Sequence, residues 1–481
     1  MNTRFLTALA LFSLIVLQAA GQQQVMDSIL ADTSLTGTSY SFCFADAETG
    51  EILFSHDADR NLASASVMKL YPTSVALSLL GPCYRYTTTI YLAGDLNSRK
   101  GILDGDIIIA GGGDPALGSA YFSEHYGDLV QNWVQALRDA GIRRVRGRVA
   151  AAKSIYDFSP APDGWAWGDL GYSYGAGVYD ININDNKFNI YVSGKAEGEP
   201  AVIDSVDTYG RGISISSGLI SSGRNNRSDF WIAPYATTGT LTGTVPADST
   251  ISFRASISDP PMALVRRLDE AIRDAGIDIR DDPSTDRADL TGRNLITLAV
   301  INSPTLEEIV RVTNHESVNM YAEAIRKHLG YEILGKGTFS AGSAVIRQFL
   351  DSIGCEPDEA VMLDGSGLSS NNNISSLMTV RLLVHMNNSN CAGAFVSSLP
   401  EGALSGTMKN YFRDELFRRK SCMKTGTIKA QNRLQVTSQP TAEENSLYNL
   451  CQRVYSLPRK ITDNMERIVK EIILNFDPST V

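Results

Sequence analysis

The sequence predicts a mixed α/β protein in which a long β-rich insertion separates two stretches of interleaved strand and helix. An alternating hairpin pattern leads directly into a helical one near the N-terminus. Strand-like pieces broken by Gly, Asn and Asp clusters then run from about 90 to 292, and helical periodicity returns from about 305 onward. With 481 residues, 43% of them hydrophobic and 20% charged, the chain can bury large cores and divide into two or three domains.

Arg4, the apolar run "FLTALALFSLIVL" and the small residues Ala19, Ala20 and Gly21 follow the order of a secretory signal peptide, so residues 1–21 are expected to be removed near Gly21. The run is short for a membrane span, and later stretches do not approach the roughly twenty apolar residues a span needs. No Cys stands at the cleavage region to carry a lipid. Removing Arg4 with the signal takes the formal charge from -10 to -11, which makes nucleic acid a poor partner. Cysteines 43, 83, 355, 391, 422 and 451 are scattered, without a C-x-x-C pair or a histidine at metal-ligand spacing. Export permits disulfides, but the sequence does not fix a pairing, and buried thiols fit equally well.

"SYSFCFADAETGEILFSH" alternates Tyr40, Phe42 and Phe44 against Ser39, Ser41 and Cys43 and turns at "AETG", which predicts a hairpin. "NLASASVMKLYPTSVALSLLG" predicts a helix with Ser66 near its start and Gly81 as its stop, although Pro72 should disturb the turn beyond Lys69. The insertion includes "GDIIIAGGG", "NKFNIYVSG" and "GISISSG", with one helix at "MALVRRLDEAIRDAG". Further helices are expected in "TLEEIVRVTNHESVNMYAEAIRKHLG", "TFSAGSAVIRQFLDSIG" and, from Ile461, "ITDNMERIVKEIILNF". The expected division is a first part over 22–90, an inserted β-rich region over 91–292 and a second part over 293–481.

Three short motifs point to chemistry. Ser66 and Lys69 form an S-x-x-K, Ser317 and Asn319 an S-x-N, and Lys424, Thr425 and Gly426 a K-T-G followed by Thr427. Each is weak alone, but in this order they form the signature of penicillin-binding proteins and serine β-lactamases. A serine hydroxyl is a poor nucleophile at neutral pH and needs an adjacent base. Lys69, one helical turn away, can serve if its amine is partly neutral, and both burial and a second cation such as Lys424 would favour that. Ser317 is suited to relay a proton to the leaving amine, and the Asn319 amide to hold the substrate's peptide group. Gly426 would let substrate lie against a strand edge, while Lys424, Thr425 and Thr427 suit a terminal carboxylate. The backbone N–H groups of Ser66 and Thr427 are the expected oxyanion hole. This chemistry requires no cofactor or metal.

From about residue 30 to 430 the chain resembles the low-molecular-mass penicillin-binding proteins of the D-alanyl-D-alanine carboxypeptidase/endopeptidase type. The resemblance extends beyond the motifs to "GGGDPAL" (111–117), "YGAGVYDININDN" (174–186), "NSPTLEEIV" (302–310) and "LDGSGLSSNN" (363–372). The 251 residues between Ser66 and Ser317 leave room for the extra domains this family inserts, more than a compact β-lactamase holds. The resemblance implies a β-lactamase/transpeptidase-like domain, an antiparallel sheet flanked by helices, with Ser66 at the start of a central helix facing the K-T-G strand. It also implies hydrolysis of D-alanyl bonds in peptidoglycan stem peptides and cross-links through an acyl-enzyme on Ser66, with β-lactam antibiotics as covalent inhibitors and an exported, periplasmic or cell-envelope location.

Other readings compete. "GYSYG" (171–175) matches a G-x-S-x-G nucleophile elbow, which would make Ser173 the nucleophile of an esterase, but that motif needs a strand before it and a helix after it. "AGGGDPAL" lacks the Lys-Ser/Thr pair of a phosphate loop and reads as a tight turn. The five histidines do not cluster, and His315 beside the S-x-N reads as structural. The glycines of "LDGSGLS" would brace the active site or serve an ordinary turn. After "KTGTIKA" the resembled family continues into two alternating strands, whereas residues 431–460 are polar and alternate poorly, the pattern a pair of compensating frameshifts would leave. As written, that stretch predicts a sheet edge without neighbours, and with it a non-catalytic wall-binding protein. A serine β-lactamase is the further alternative.

Overall fold

The computed structural model describes residues 39–411, 413–414, 421–426, 433–440 and 446–453; the expected signal peptide and the helix from Ile461 lie outside them. The chain runs through strands β1 (Ser39–Asp46) and β2 (Ile52–His56), a 3₁₀ turn (Ala65–Lys69), helix α1 (Leu70–Leu79) and strands β3 (Thr87–Asn97) and β4 (Ile102–Ala110). Helix α2 (Pro260–Asp274), strand β5 (Leu295–Asn302) and helices α3 (Leu306–His315), α4 (Asn319–Leu334), α5 (Phe339–Ser352) and α6 (Ser376–Asn387) come later. Strands β6 (Ser421–Cys422), β7 (Arg433–Pro440) and β8 (Ser446–Arg453) complete the described residues. Packing divides the chain into two units: one holds the described residues up to 67, 350–362 and those from 370 onward, the other 68–349 and 363–369.

The first unit is built on the sheet β6-β7-β8-β1-β2, antiparallel at every step. The expected hairpin is β1 and β2, with Phe42 opposite His56 and a turn held by Asp46, whose Oδ1 accepts from the Thr49 amide at 2.7 Å. The alternation in β1 marks two buried faces, because Ser41 through Ala45 are all buried. The small side chains let α6 come close: Ser41 Oγ and Ser376 Oγ share a hydrogen bond of 2.8 Å, and Cys43 and Ala45 pack on Val380.

The expectation of a bare sheet edge after the K-T-G is corrected here. β7 pairs with β6 and β8, and β8 pairs with β1 along its length, placing Leu450 opposite Phe42. A central strand such as β1 offers a full row of N–H and C=O groups, and satisfying them outweighs a weak alternating pattern. The frameshift reading is therefore not needed to complete the sheet.

In the second unit, Pro72 occupies the first turn of α1, where a missing N–H breaks no helical bond, so the disturbance expected beyond Lys69 is absorbed by the change from 3₁₀ turn to α-helix. Gly81 stops the helix with φ +87°. β3 pairs antiparallel with β4 and with β5, and β4 pairs in parallel with Val149–Ala152. Because β3 starts at Thr87 and β5 at Leu295, this sheet reaches across both texture boundaries, at 90 and 292. α2 is capped by Asp259, whose side chain accepts from the Met262 amide, and buries Leu264, Val265, Leu268 and Ile272. Two further sheets fill the insertion, one of Lys187–Ser193, Val202–Val206 and Thr250–Ser256, the other formed around Thr238–Val245. No helix among the described residues is long and apolar enough to cross a membrane.

The position of β7 and β8 is tested by hydrogen exchange read by mass spectrometry. Peptides covering 433–440 and 446–453 are expected to be protected to the same order as β1. Exchange at unfolded-chain rates in those peptides, beside a protected β1, would contradict the pairing.

Candidate active site

In the first unit, Ser66 stands in the 3₁₀ turn directly after Ala65, whose φ is +46°. Left-handed backbone at a non-glycine residue costs of order 1–3 kcal/mol and is kept where the surroundings enforce it. Part of that enforcement is Gly426: a Cβ there would lie 2.6 Å from the Ser66 nitrogen and 2.6 Å from the Ala65 Cβ. The glycine expected to make room for substrate thus lets the K-T-G backbone lie against the Ser66 turn. Lys424 is buried and donates from Nζ to the Thr425 carbonyl at 2.8 Å, and Thr425 Oγ1 donates to Thr407 Oγ1 at 2.9 Å. Thr427 lies outside the described residues.

The boundary between the units falls inside the same turn, between Val67 and Met68, so Lys69 belongs to the second unit. Its side chain is 0% exposed. Nζ donates to Asn319 Oδ1 at 2.6 Å and to the Ser366 carbonyl at 2.6 Å. Burial pushes the amine down to about 7, against the pull of the Asp364 and Glu323 carboxylates, which favour its charged form. Of the two causes anticipated for a neutral lysine, it is burial that lowers this amine; Lys424 is not among the groups that shift it.

The helical stretch expected over 305–330 breaks at the S-x-N. α3 ends at His315, Ser317 takes φ +57°, and α4 starts at Asn319. This break puts Asn319 in the first turn of α4, where its Oδ1 meets Lys69 and its Nδ2 donates to the Tyr174 carbonyl at 2.8 Å. Tyr174 lies in "GYSYG". There Ser173–Gly175 is a 3₁₀ turn preceded by another at Trp167–Asp169, so the strand and helix that an esterase elbow requires are missing and Ser173 is no elbow nucleophile. α4 is further fixed by Tyr321, whose hydroxyl donates to Asp185 at 2.7 Å, and the turn carrying Asp185 meets "GGGDPAL" where Asn182 Nδ2 donates to the Asp114 carbonyl.

Sequence reasoning did not identify the carbonyls of Tyr174 and Ser366 as partners of the motif residues. A backbone acceptor has no side-chain signature, although "LDGSGLSSNN" had been singled out as a segment able to brace the site. No group of three or more His, Cys, Asp or Glu among the described residues is placed to hold a metal ion.

Residues 22–438 match the D-Ala-D-Ala carboxypeptidase 3 (S13) peptidases, and the chain belongs to that family. It is 28% identical over 417 residues to a D-alanyl-D-alanine carboxypeptidase of Actinomadura sp. (strain R39), covering 84% of this chain and 76% of that one. The structure of penicillin-binding protein 4 from Haemophilus influenzae is similar with a TM-score of 0.78, at 18% identity and over 91% of this chain and 97% of that one. A penicillin G-acylated predatory endopeptidase from Bdellovibrio bacteriovorus is similar with a TM-score of 0.51, at 16% identity and over 91% and 92% of the two chains.

Gly426→Ala tests the close approach to the Ser66 turn. With backbone atoms on the receiving side, the added methyl must displace one segment, and a loss of about 1–3 kcal/mol is expected in urea unfolding. Unchanged stability would mean that the two segments lie farther apart.

Proposed function

We propose that the chain cleaves D-alanyl bonds of peptidoglycan stem peptides, as carboxypeptidase or endopeptidase, through an acyl-enzyme on Ser66, and that β-lactams acylate the same hydroxyl. The observation that carries this reading is the Lys69 amine. A neutral amine has two N–H donors and one lone pair. Asn319 Oδ1 and the Ser366 carbonyl each accept one of those N–H groups, and it is the lone pair of the neutral form that would take the proton of Ser66, three residues earlier in the S-x-x-K. An amine poised near 7 is matched to that task at neutral pH.

In the proposed reaction the Ser66 hydroxyl proton passes to Lys69 as Oγ bonds to the D-alanyl carbonyl carbon. The oxyanion accepts hydrogen bonds from the Ser66 and Thr427 N–H groups. Collapse breaks the peptide bond, and the proton held by Lys69 passes by way of Ser317 to the leaving amine, which returns Lys69 to its neutral form. Water, deprotonated by Lys69, then hydrolyses the ester. Lys424, Thr425 and Thr427 receive the substrate's terminal carboxylate, and Asn319 orients its peptide group. In a β-lactam the ring amide is attacked in the same way, but its leaving nitrogen stays tethered. The acylated Bdellovibrio endopeptidase and the carboxypeptidase name of the Actinomadura relative support this reading. Residues 1–21 fit export, so the expected location is the periplasm or cell envelope, where the substrate lies.

Ser66→Ala removes a hydroxyl and is expected to abolish labelling by a fluorescent penicillin and release of D-alanine, without lowering the melting temperature by more than a few degrees. Persisting hydrolysis would move the nucleophile elsewhere, and rapid turnover of the drug by the wild type would identify a β-lactamase.

The pH dependence follows from the direction of the Lys69 shift. Below about 7 the amine is protonated and cannot take the Ser66 proton; above it the neutral form dominates, so the acylation rate should rise with pH through about 7. Lys69→Arg carries a guanidinium that stays protonated and should acylate at least a hundredfold more slowly, consistent with the loss of a general base. A variant as fast as wild type would remove Lys69 from that role.

A further inference from the structure

Lys69 depends on a carbonyl acceptor from residue 366, and that carbonyl sits in a loop, 363–369, without helix or strand of its own. Two buried carboxylates hold the loop. Glu323, 0% exposed on α4, accepts at Oε1 from the Gly365 and Ser366 amides, both at 2.7 Å, while its Oε2 is paired with Arg326 Nη1 at 3.1 Å. Arg326 in turn donates to the Leu363 carbonyl at 3.1 Å, so α4 grips the loop at both its N–H and its C=O groups. Asp364 closes the loop on itself, accepting from the Gly367 and Ser369 amides at 2.6 Å each and from Trp165 Nε1 at 3.1 Å. Gly365 approaches closely here: a Cβ would lie 3.2 Å from Arg326 Cδ and 3.3 Å from Pro72 Cγ, on the helix that follows Lys69.

We propose that Glu323 is a positioning residue for Lys69: by clasping the Gly365 and Ser366 amides it fixes the Ser366 carbonyl against the amine and keeps a carboxylate beside it. The inference rests on the reading of Lys69 as the base. The clasp does two things to that base. Geometrically, Glu323 anchors the backbone on the N-terminal side of Ser366, while Asp364 holds the Gly367 N–H of the peptide that carries the Ser366 carbonyl, so that carbonyl cannot tilt away from the amine without straining charge-assisted hydrogen bonds on both sides of residue 366. Electrostatically, Glu323 and Asp364 oppose the effect of burial and keep the amine from falling so low that it would be a weak base. Burial raises the Glu323 carboxyl and Asp364 nearby adds to that, while Arg326 and the Ser366 hydrogen bond oppose it and favour the charged form. Among the described residues, the charged groups that act on the amine are Asp364 in the loop and Glu323 on α4, the latter paired with Arg326; the ionisable residue within α1 is Tyr71.

Glu323→Gln tests the proposal. It keeps the length of the side chain and an acceptor for the two amides but removes the charge. With one fewer anion near Lys69 the amine loses its proton more easily, so the rising limb of benzylpenicillin acylation against pH should move down by about one unit. Asp364→Asn should move the limb in the same direction, and Glu323→Ala, which releases the Ser366 carbonyl, should slow acylation by about a hundredfold at every pH, the order expected when a reacting group is misplaced by about an ångström. A merely structural role would lower the melting temperature and leave the limb in place. The proposal is overturned if a folded Glu323→Gln or Asp364→Asn variant titrates with the wild type, or if Glu323→Ala acylates within twofold of it. A wild type that is not acylated at all, or whose limb does not lie near 7, would instead count against Lys69 as the base.

Discussion

The constraint on which the rest of the site depends is the burial of one lysine amine. A primary amine removed from water must either lose its proton or find partners for its charge, and Lys69 does some of each. Two acceptors only 2.6 Å away take hydrogen bonds from it, and both come from far along the chain, 250 and 297 residues beyond Lys69, Asn319 on a helix and Ser366 on a loop. Neither of these two acceptors is a carboxylate. The Glu323 and Asp364 carboxylates, which favour the charged form of the amine, accept from backbone amides of the 363–369 loop.

This arrangement explains local features that would otherwise be defects. Ser317 adopts a left-handed backbone and splits what would have been one long helix; a continuous helix through 315–319 could not start a new first turn at Asn319. Ala65 is left-handed because the Ser66 turn has to meet the K-T-G backbone, and the methyl-free Gly426 allows it. α4 itself buries Glu323, Arg326, Lys327 and His328, which an apolar helix would not need to satisfy. Lys327 finds Asp157 at 2.7 Å, and His328 sits between the Tyr84 and Tyr156 hydroxyls with its imidazole pushed down to about 3 by burial. Paired buried charge is a poor source of net stability, but each pair accepts only one placement of the helix.

How much of this could be read from the sequence follows from which atoms do the work. Ser66, Lys69, Ser317, Asn319 and Lys424 stand out in the sequence because the motifs are read from side chains and their order along the chain is improbable by chance; the structure brings Lys69 to Asn319. The hairpin and α2 were legible because their apolar periods match the elements they form. The Tyr174 and Ser366 carbonyls were not, since every residue has a carbonyl. The strands β7 and β8 were misread because their side-chain pattern is weak, whereas their place is set by the free edge of β1. The packing units also escaped the texture reading: β3 and β5 pair across more than two hundred residues, and such long-range pairing leaves no local trace.

Asn319 shows why an amide, and not an acid, is needed at its position. Its two polar atoms face partners of opposite character: Oδ1 accepts from the Lys69 amine, and Nδ2 donates to the Tyr174 carbonyl. Only one orientation of the amide satisfies both, so the side chain is held without ambiguity. An aspartate of the same shape would place a charge on Lys69 and hold its proton, and would turn a second oxygen toward the Tyr174 carbonyl, a repulsion in a buried site. The amide therefore links two requirements that pull in different directions. It gives Lys69 an acceptor at 2.6 Å that helps fix its orientation, and a neutral one, as the proposed role of Lys69 as base requires.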